Sequence, residues 1–162
     1  MTKKAGLTAE RHELFLYHVH SHLDVYVDAH HLRVPSGIGI NINDPGVQRG
    51  VLPDGTMAYG GIRECAKPCI SPLHTHDDTG IVHTESKRTK PNRLGQFFTE
   101  WNVRLDPQCV DGFCKPKKRI AVYVNGKRYS GNPRDITLTN FKEIAIVIGK
   151  PPKHIPSKFA MG

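Results

Sequence analysis

Leu16-Tyr17-His18-Val19-His20-Ser21-His22-Leu23-Asp24-Val25-Tyr26-Val27-Asp28 alternates between two residue classes without a break. Tyr17, Val19, Ser21, Leu23, Val25 and Val27 fall on one face; His18, His20, His22, Asp24, Tyr26 and Asp28 fall on the other. Period two over this length predicts a β-strand, with the first set, Ser21 excepted, turned to a core. The second set carries H-x-H-x-H, with alternate imidazoles about 6.5–7 Å apart along an extended chain. Two neighbouring rings at that spacing can converge on one ion, whereas three rarely do. Asp24 is placed either to join them or to orient one of them.

A second histidine-rich stretch lies downstream, Leu73-His74-Thr75-His76-Asp77-Asp78-Thr79-Gly80-Ile81-Val82-His83-Thr84-Glu85. Two short strand-like runs flank an Asp/Thr/Gly cluster, the pattern of a β-hairpin turning near Asp78-Thr79. Pairing Asp77 with Gly80 sets His76 opposite Ile81 and His74 opposite His83. His74, His76, His83 and Glu85 then share one face, and Leu73, Thr75, Val82 and Thr84 share the other. A slip of one residue would turn His83 away. Three imidazoles and a carboxylate on one face suit a transition-metal ion, copper or zinc first and iron also.

The remaining chain supplies the frame. Residues 1–11 read as a flexible lead-in. Asp28 to His31 turns the chain toward a strand over Leu32 to Pro35, with His30 and His31 at the surface. Ser36 to Ile42 alternates apolar and small residues, as a strand does where another backbone passes close by. Residues 43–72 form a long irregular excursion that leads into the hairpin and is placed to wall the site. Leu94, Phe97, Phe98 and Trp101 recur at helical spacing, predicting a short helix over Arg93 to Asn102 with Asn92 as its N-cap. Val103 to Leu105 is expected to start a strand. Asn125-Gly126 marks a tight hairpin between Arg119–Val124 and Lys127–Ser130. Asp135–Leu138 and Glu143–Ile148 are expected to pair, and Ile144 to Ile148, apolar on both faces, reads as a central strand. The whole predicts a mainly β fold, a sandwich or an α+β sheet, with one short helix. It forms a single domain over residues 12–152 with an irregular tail at 153–162.

Glycine (15) and proline (12) are frequent, in keeping with strands and turns. The formal charge is +8, with basic clusters at residues 87–90, at 115–119, at Lys127-Arg128 and in the tail. These clusters are short and lack interleaved aromatics, so nucleic acid is not expected as a partner. No apolar run is long enough to span a membrane as a helix. The first eleven residues have no apolar signal-peptide core, so an exported form would need a targeting segment outside this sequence.

Four cysteines fall in two close pairs, Cys65/Cys69 and Cys109/Cys114. An even count in Pro-, Gly- and Lys-rich loops predicts two disulfides and an oxidising compartment, with pairing within or between loops left open. The rivals are a Cys₄ zinc site, whose usual spacing is tighter, and a cytoplasmic chain with free thiols.

The Leu73–Glu85 stretch, with His18-Val19-His20-Ser21-His22-Leu23 upstream and Leu94-Gly95-Gln96-Phe97-Phe98 downstream, resembles a family of small His-rich microbial domains, often exported or membrane-tethered. The resemblance covers Leu16 to about Pro152 and implies an extracytoplasmic setting. It carries no activity to transfer.

From the residues, three function classes follow. The first is a metal-binding protein with a mononuclear site built mainly from His74, His76 and His83, with His18, His20 or His22 contributing. The second is a metalloenzyme, hydrolytic or oxidative, that keeps an open position for water or dioxygen and acts on a small-molecule substrate. In that reading Glu85 or Asp77 serves as acid or base. The third is a non-catalytic interaction module with incidental histidines.

Overall fold

Alternation in the chain is realised as a sheet, with the longest alternating segment near its middle. The computed structural model describes residues 1–87 and 89–160; Arg88 of the basic cluster and the last two tail residues lie outside the described residues. In chain order the strands are β1 (Tyr17–Val27), β2 (His30–Leu32), β3 (Gln48–Val51), β4 (Met57–Gly60), β5 (Leu73–His74) and β6 (Ile81–Ser86). The helix α1 (Leu94–Glu100) follows, then β7 (Cys109–Val110), β8 (Phe113–Cys114), β9 (Ile120–Val124), β10 (Lys127–Tyr129) and β11 (Lys142–Ile148). The fold is mainly β with one short helix, as the patterning predicts.

Seven strands form one sheet in the order β10-β9-β11-β1-β6-β5, with β2 pairing the distal half of β1. β1 runs parallel to β11 and antiparallel to β6. Ile144 to Ile148 lies between two strands and is buried throughout, which is why it is apolar on both faces. The core face joins Leu23 and Val25 of β1 to Leu73, Val82, Ile144, Ile146 and Ile148. Leu94, Phe97 and Phe98 of α1, each fully buried, complete that core, and Trp101 packs at its margin. A second, smaller core under the 40–70 excursion gathers Ile40, Val47, Ile62, Ile70 and the disulfide Cys65–Cys69.

Both disulfides close within their own loops, Cys65–Cys69 and Cys109–Cys114, and no described cysteine is free. The second bridges directly opposed residues of the β7/β8 ribbon.

Several local expectations are corrected. The turn after β1 uses only Asp28 and Ala29, both at positive φ, so the next strand starts earlier, at His30, and ends at Leu32. Ser36 to Ile42 is not a strand, because Gly37 and Gly39 take φ of +75° and +74° and turn the chain; only Ile40 makes a bridge, to Ile70. The close backbone approach expected there is present. A Cβ on Gly39 would lie 2.2 Å from the Leu73 carbonyl oxygen. The helix is capped from Arg93 rather than Asn92: Gln96 Oε1 accepts the Arg93 N–H at 2.9 Å, while the Asn92 carbonyl takes the Leu138 N–H.

Leu105 makes an isolated bridge to Val110 in place of the strand expected at 103–105. Asp135–Leu138 does not pair with β11. Asn132 caps a 3₁₀ turn at Pro133–Asp135, and Thr137 then bridges Arg93, so β11 is left to β1 and β9. The lead-in lies against the domain, with the Glu10 N–H donating to the Ile70 carbonyl and Thr2 Oγ1 to Glu100.

Gly39 is thus a point where the excursion touches the strand that carries His74. Gly39→Ala should lower unfolding free energy by about 2 kcal/mol or more, since positive φ and a backbone clash act together. Urea unfolding that shows no loss would contradict this packing.

Candidate metal centre

The same alternation that buries Leu23 and Val25 sends His18, His20 and His22 to the opposite face of β1. β6 brings its own alternate residues alongside, setting His18 opposite Glu85, His20 opposite His83 and His22 opposite Ile81. β5 adds His74 opposite His83, the register expected of the hairpin. The ladder stops there, so His76 does not pair with Ile81. Its carbonyl instead accepts the Tyr59 N–H of β4 at 2.9 Å. The long excursion therefore does wall the site.

His74, His76, His83 and Glu85 each place one ligand atom within 4.8 Å of the others. The rings of His76 and His83 meet edge to face at 4.4 Å, and those of His74 and His83 stack at 5.2 Å. Two of the imidazoles are held from behind. His74 Nδ1–H donates to the Ser71 carbonyl at 2.9 Å, and His76 Nδ1–H donates to the Tyr59 carbonyl at 2.5 Å. A carbonyl only accepts, so both rings carry the proton on Nδ1 and present an Nε2 lone pair forward. Ser71 is itself fixed, because its hydroxyl donates to Glu100 of α1 at 2.6 Å. Gly60 leaves room for the His76 ring, since a Cβ there would approach Nδ1 to 3.2 Å.

Three atoms of this group, His74 Nε2, His83 Nδ1 and Glu85 Oε2, are buried with no hydrogen-bond partner among the described residues. Glu85 Oε1 lies 3.7 Å from His74 Nε2 and 3.6 Å from His83 Nδ1, beyond good hydrogen-bond length. Ion–nitrogen bonds of about 2.0–2.1 Å hold ligand atoms within roughly 4.2 Å of one another. The four would draw closer together to share one ion.

Burial dominates the electrostatics. It pushes His83 down to about 3, only partly opposed by Glu85, with His74, His76 and His20 adding to the fall. His76 and His20 are lowered for the same first reason, His76 further by His74 and His20 further by His18. For Glu85, burial favours the neutral acid, but its contacts with His74 and His83 and the nearby His18 outweigh burial and keep the carboxyl well below its ordinary range.

The other expected site residues are distributed differently. His18 and His20 form a separate, more exposed group with His83, and His18 Nε2 lies 3.2 Å from Glu85 Oε1. Asp77 shapes the hairpin tip, its Oδ1 accepting from the Thr79 N–H and hydroxyl at 3.0 and 2.5 Å, and it belongs to neither histidine group. An acid/base role at the centre thus loses Asp77, whose carboxylate is engaged in its own turn. His22 is drawn away by a third group with Asp24 and Glu143. His22 Nε2–H donates to the Thr79 carbonyl at 2.8 Å, and Nδ1 faces Glu143 Oε2 at 2.9 Å. Burial raises the Glu143 carboxyl; for His22 burial works the other way, but Glu143 and Asp24 overcome it, so the pair retains a proton above the ordinary carboxylate range. His30 and His31 are exposed as expected, though His31 Nε2 pairs with Asp24 Oδ1 at 2.7 Å.

Sequence reasoning missed Glu143, Ser71 and Tyr59. Glu143 had a signal: it is the acidic residue opening a run that is otherwise apolar on both faces. Ser71 and Tyr59 act through main-chain carbonyls, which side-chain identity does not reveal. Compared with protein-family models, curated proteins and solved structures, the chain matches none.

In the metal-free chain, the His83 ring-proton NMR signal should hold its position from pH 8 to 5 and titrate near 3. His76 and His20 should titrate below 6.5. An unfolded histidine takes its proton near 6.5 while folded His83 refuses it, so the stability present above 6.5 is lost progressively as pH falls toward 3. A His83 midpoint at or above 6.5 would contradict the burial argument.

Proposed function

We propose that this chain is a metal-binding protein that holds one copper(II) or zinc ion through His74, His76, His83 and Glu85 in an oxidising, extracytoplasmic compartment. The observation that carries this reading is the gathering of His74, His76, His83 and Glu85, one ligand atom of each within 4.8 Å of the others, where His74 Nε2, His83 Nδ1 and Glu85 Oε2 are buried without a hydrogen-bond partner among the described residues. Each would cost about 1–3 kcal/mol if left unsatisfied. His74 Nε2 and Glu85 Oε2 are acceptors, which cannot satisfy one another but are both satisfied by a cation. Supporting it, His74 and His76 are oriented through Nδ1–H bonds to carbonyls, the usual way ligating imidazoles are held.

The donor set favours copper or zinc over iron: imidazole nitrogens bind both well, and Cu²⁺ heads the divalent affinity order. Disulfide formation takes all four thiols out of the ligand set and fits the compartment that the family resemblance implies. Among the described residues no helix is long and apolar enough to cross a membrane.

Four protein ligands would close the site, which favours handling, sensing or structural use of the ion over catalysis. A metalloenzyme reading draws on one further observation, the more exposed His18 and His20 beside His83, where a substrate or water would enter. Glu85 separates the two readings. As a ligand its loss weakens binding; as an acid/base its loss spares binding and abolishes turnover.

Calorimetric titration of copper(II) and zinc into tag-free protein should give one tight site in the His74/His76/His83/Glu85 group. His76→Ala should weaken that site by tenfold or more while leaving the Leu73/Val82 core face, and hence folding, largely intact. Because burial lowers the His76 and His83 rings below 6.5, affinity should stay level as pH falls through 6.5, where ordinary histidines charge, and decline at lower pH as protons compete. Equal affinity in wild type and His76→Ala would remove His76 from the ligand set, and absence of binding in wild type would sink the reading.

A further inference from the structure

The parallel pairing of β1 and β11 sets His22 opposite Glu143, and Asp24 lies two residues on, on the same face. All three are buried, at 6 %, 1 % and 7 % exposure respectively. The Thr79 carbonyl takes the proton of His22 Nε2, which leaves Nδ1 pointing at Glu143 Oε2 (2.9 Å) and Asp24 Oδ2 (3.6 Å). Gly80 makes that bond reachable, because a Cβ there would lie 3.0 Å from His22 Nε2. A ligating histidine is normally oriented in this way, its far nitrogen donating to a backbone carbonyl.

A hydrogen-bonded structural cluster would close on itself. This one does not, since Glu143 Oε1 is buried with no hydrogen-bond partner among the described residues. The charge also suits a cation. Two buried carboxylates face one imidazole, and burial raises the Glu143 carboxyl above the ordinary carboxylate range. His31 bonds Asp24 from the exposed side at 2.7 Å. Ionising both carboxylates without a cation would be costly, whereas a divalent ion would balance them. The Phe159 ring stands edge-on to His22 at 6.2 Å and leans on Phe141 at 5.3 Å, placing apolar surface over the cluster.

We propose that His22, Asp24 and Glu143 form a second cation site, taking one divalent first-row ion of the manganese or zinc kind through an imidazole nitrogen and two carboxylates. Its oxygen-rich donor set suits harder ions than the three-imidazole centre does. It shares no residue with His74, His76, His83 and Glu85, so it stands whether or not that centre binds metal.

The test uses the full, tag-free chain carrying His76→Ala and His83→Ala, which disables the first centre. Manganese(II) is titrated with EPR detection of the free ion, and zinc by calorimetry. One ion per chain should bind at least one of the two probes. Adding Glu143→Gln should weaken that binding at least about tenfold, since even outer-shell changes cost that much. Asp24→Asn serves as a second variant, with folding checked by circular dichroism. Independently of either variant, bound manganese(II) should broaden the NMR signals of His22, Asp24 and Phe159 first. No binding of either ion, unchanged affinity in a folded variant, or broadening centred on other residues would overturn the proposal. Failure here with intact copper binding in wild type counts against this site alone.

Discussion

The register of β1 against its neighbours is the constraint on which both histidine groups and the carboxylate cluster depend. On one face it sets Leu23 beside Ile144 and Val25 beside Ile146; on the other it sets His20 beside His83 and His22 beside Glu143. The two faces cannot be adjusted separately, because neighbouring residues point to opposite sides. A slip of one residue would expose the apolar set and bury the histidines against the core. Fully burying a Leu, Val, Ile or Phe is worth about 1.5–3 kcal/mol. The core therefore holds the imidazoles in place with a force that no contact among the imidazoles supplies.

The polar interior has a consistent sign. Among the described residues the buried charged side chains are Asp24, Glu85, Glu100 and Glu143, all carboxylates, while the lysines and arginines stay outside the buried set. A chain with a formal charge of +8 thus keeps negative groups inside. Glu100 is committed to structure: it anchors Ser71, whose carbonyl orients His74, so the helix on the core face steers a ring on the far side of the sheet. Glu85 and Glu143 each turn one oxygen toward an imidazole and keep the other buried without a partner among the described residues. In a low-dielectric interior that arrangement favours a cation, and burial that keeps His83 and His76 neutral leaves their lone pairs available.

The excursion between β2 and β5 looks irregular in sequence because its order comes from a few long-range attachments. Cys65–Cys69 and the small core around Ile62 and Ile70 hold it together. Gly39 and Gly60 let it come close to Leu73 and His76, and Tyr59 makes a main-chain contact with His76 in each direction. One wall of the centre is therefore built by backbone groups and by side chains that are missing.

Much of the fold was legible because its signals are local. Alternation over Leu16 to Asp28, Asn125-Gly126, the aromatic spacing of α1 and the doubly apolar Ile144–Ile148 each restrict a short piece of chain to one conformation. The sharing of one face by His74, His83 and Glu85 was legible for the same reason, as period two assigns faces once a strand exists. What the sequence could not determine was which strands become neighbours. Pairing of β1 with β11 joins residues more than a hundred positions apart, and no local preference encodes it. Only that parallel ladder takes His22 from the histidine cluster and gives it to Glu143, and only the packing of β4 on the end of the hairpin brings His76 inward after its ladder has stopped. The sequence by itself determined which residues face together along each strand, because that follows from backbone geometry; the tertiary structure decided which of them meet, because that follows from burying the opposite face.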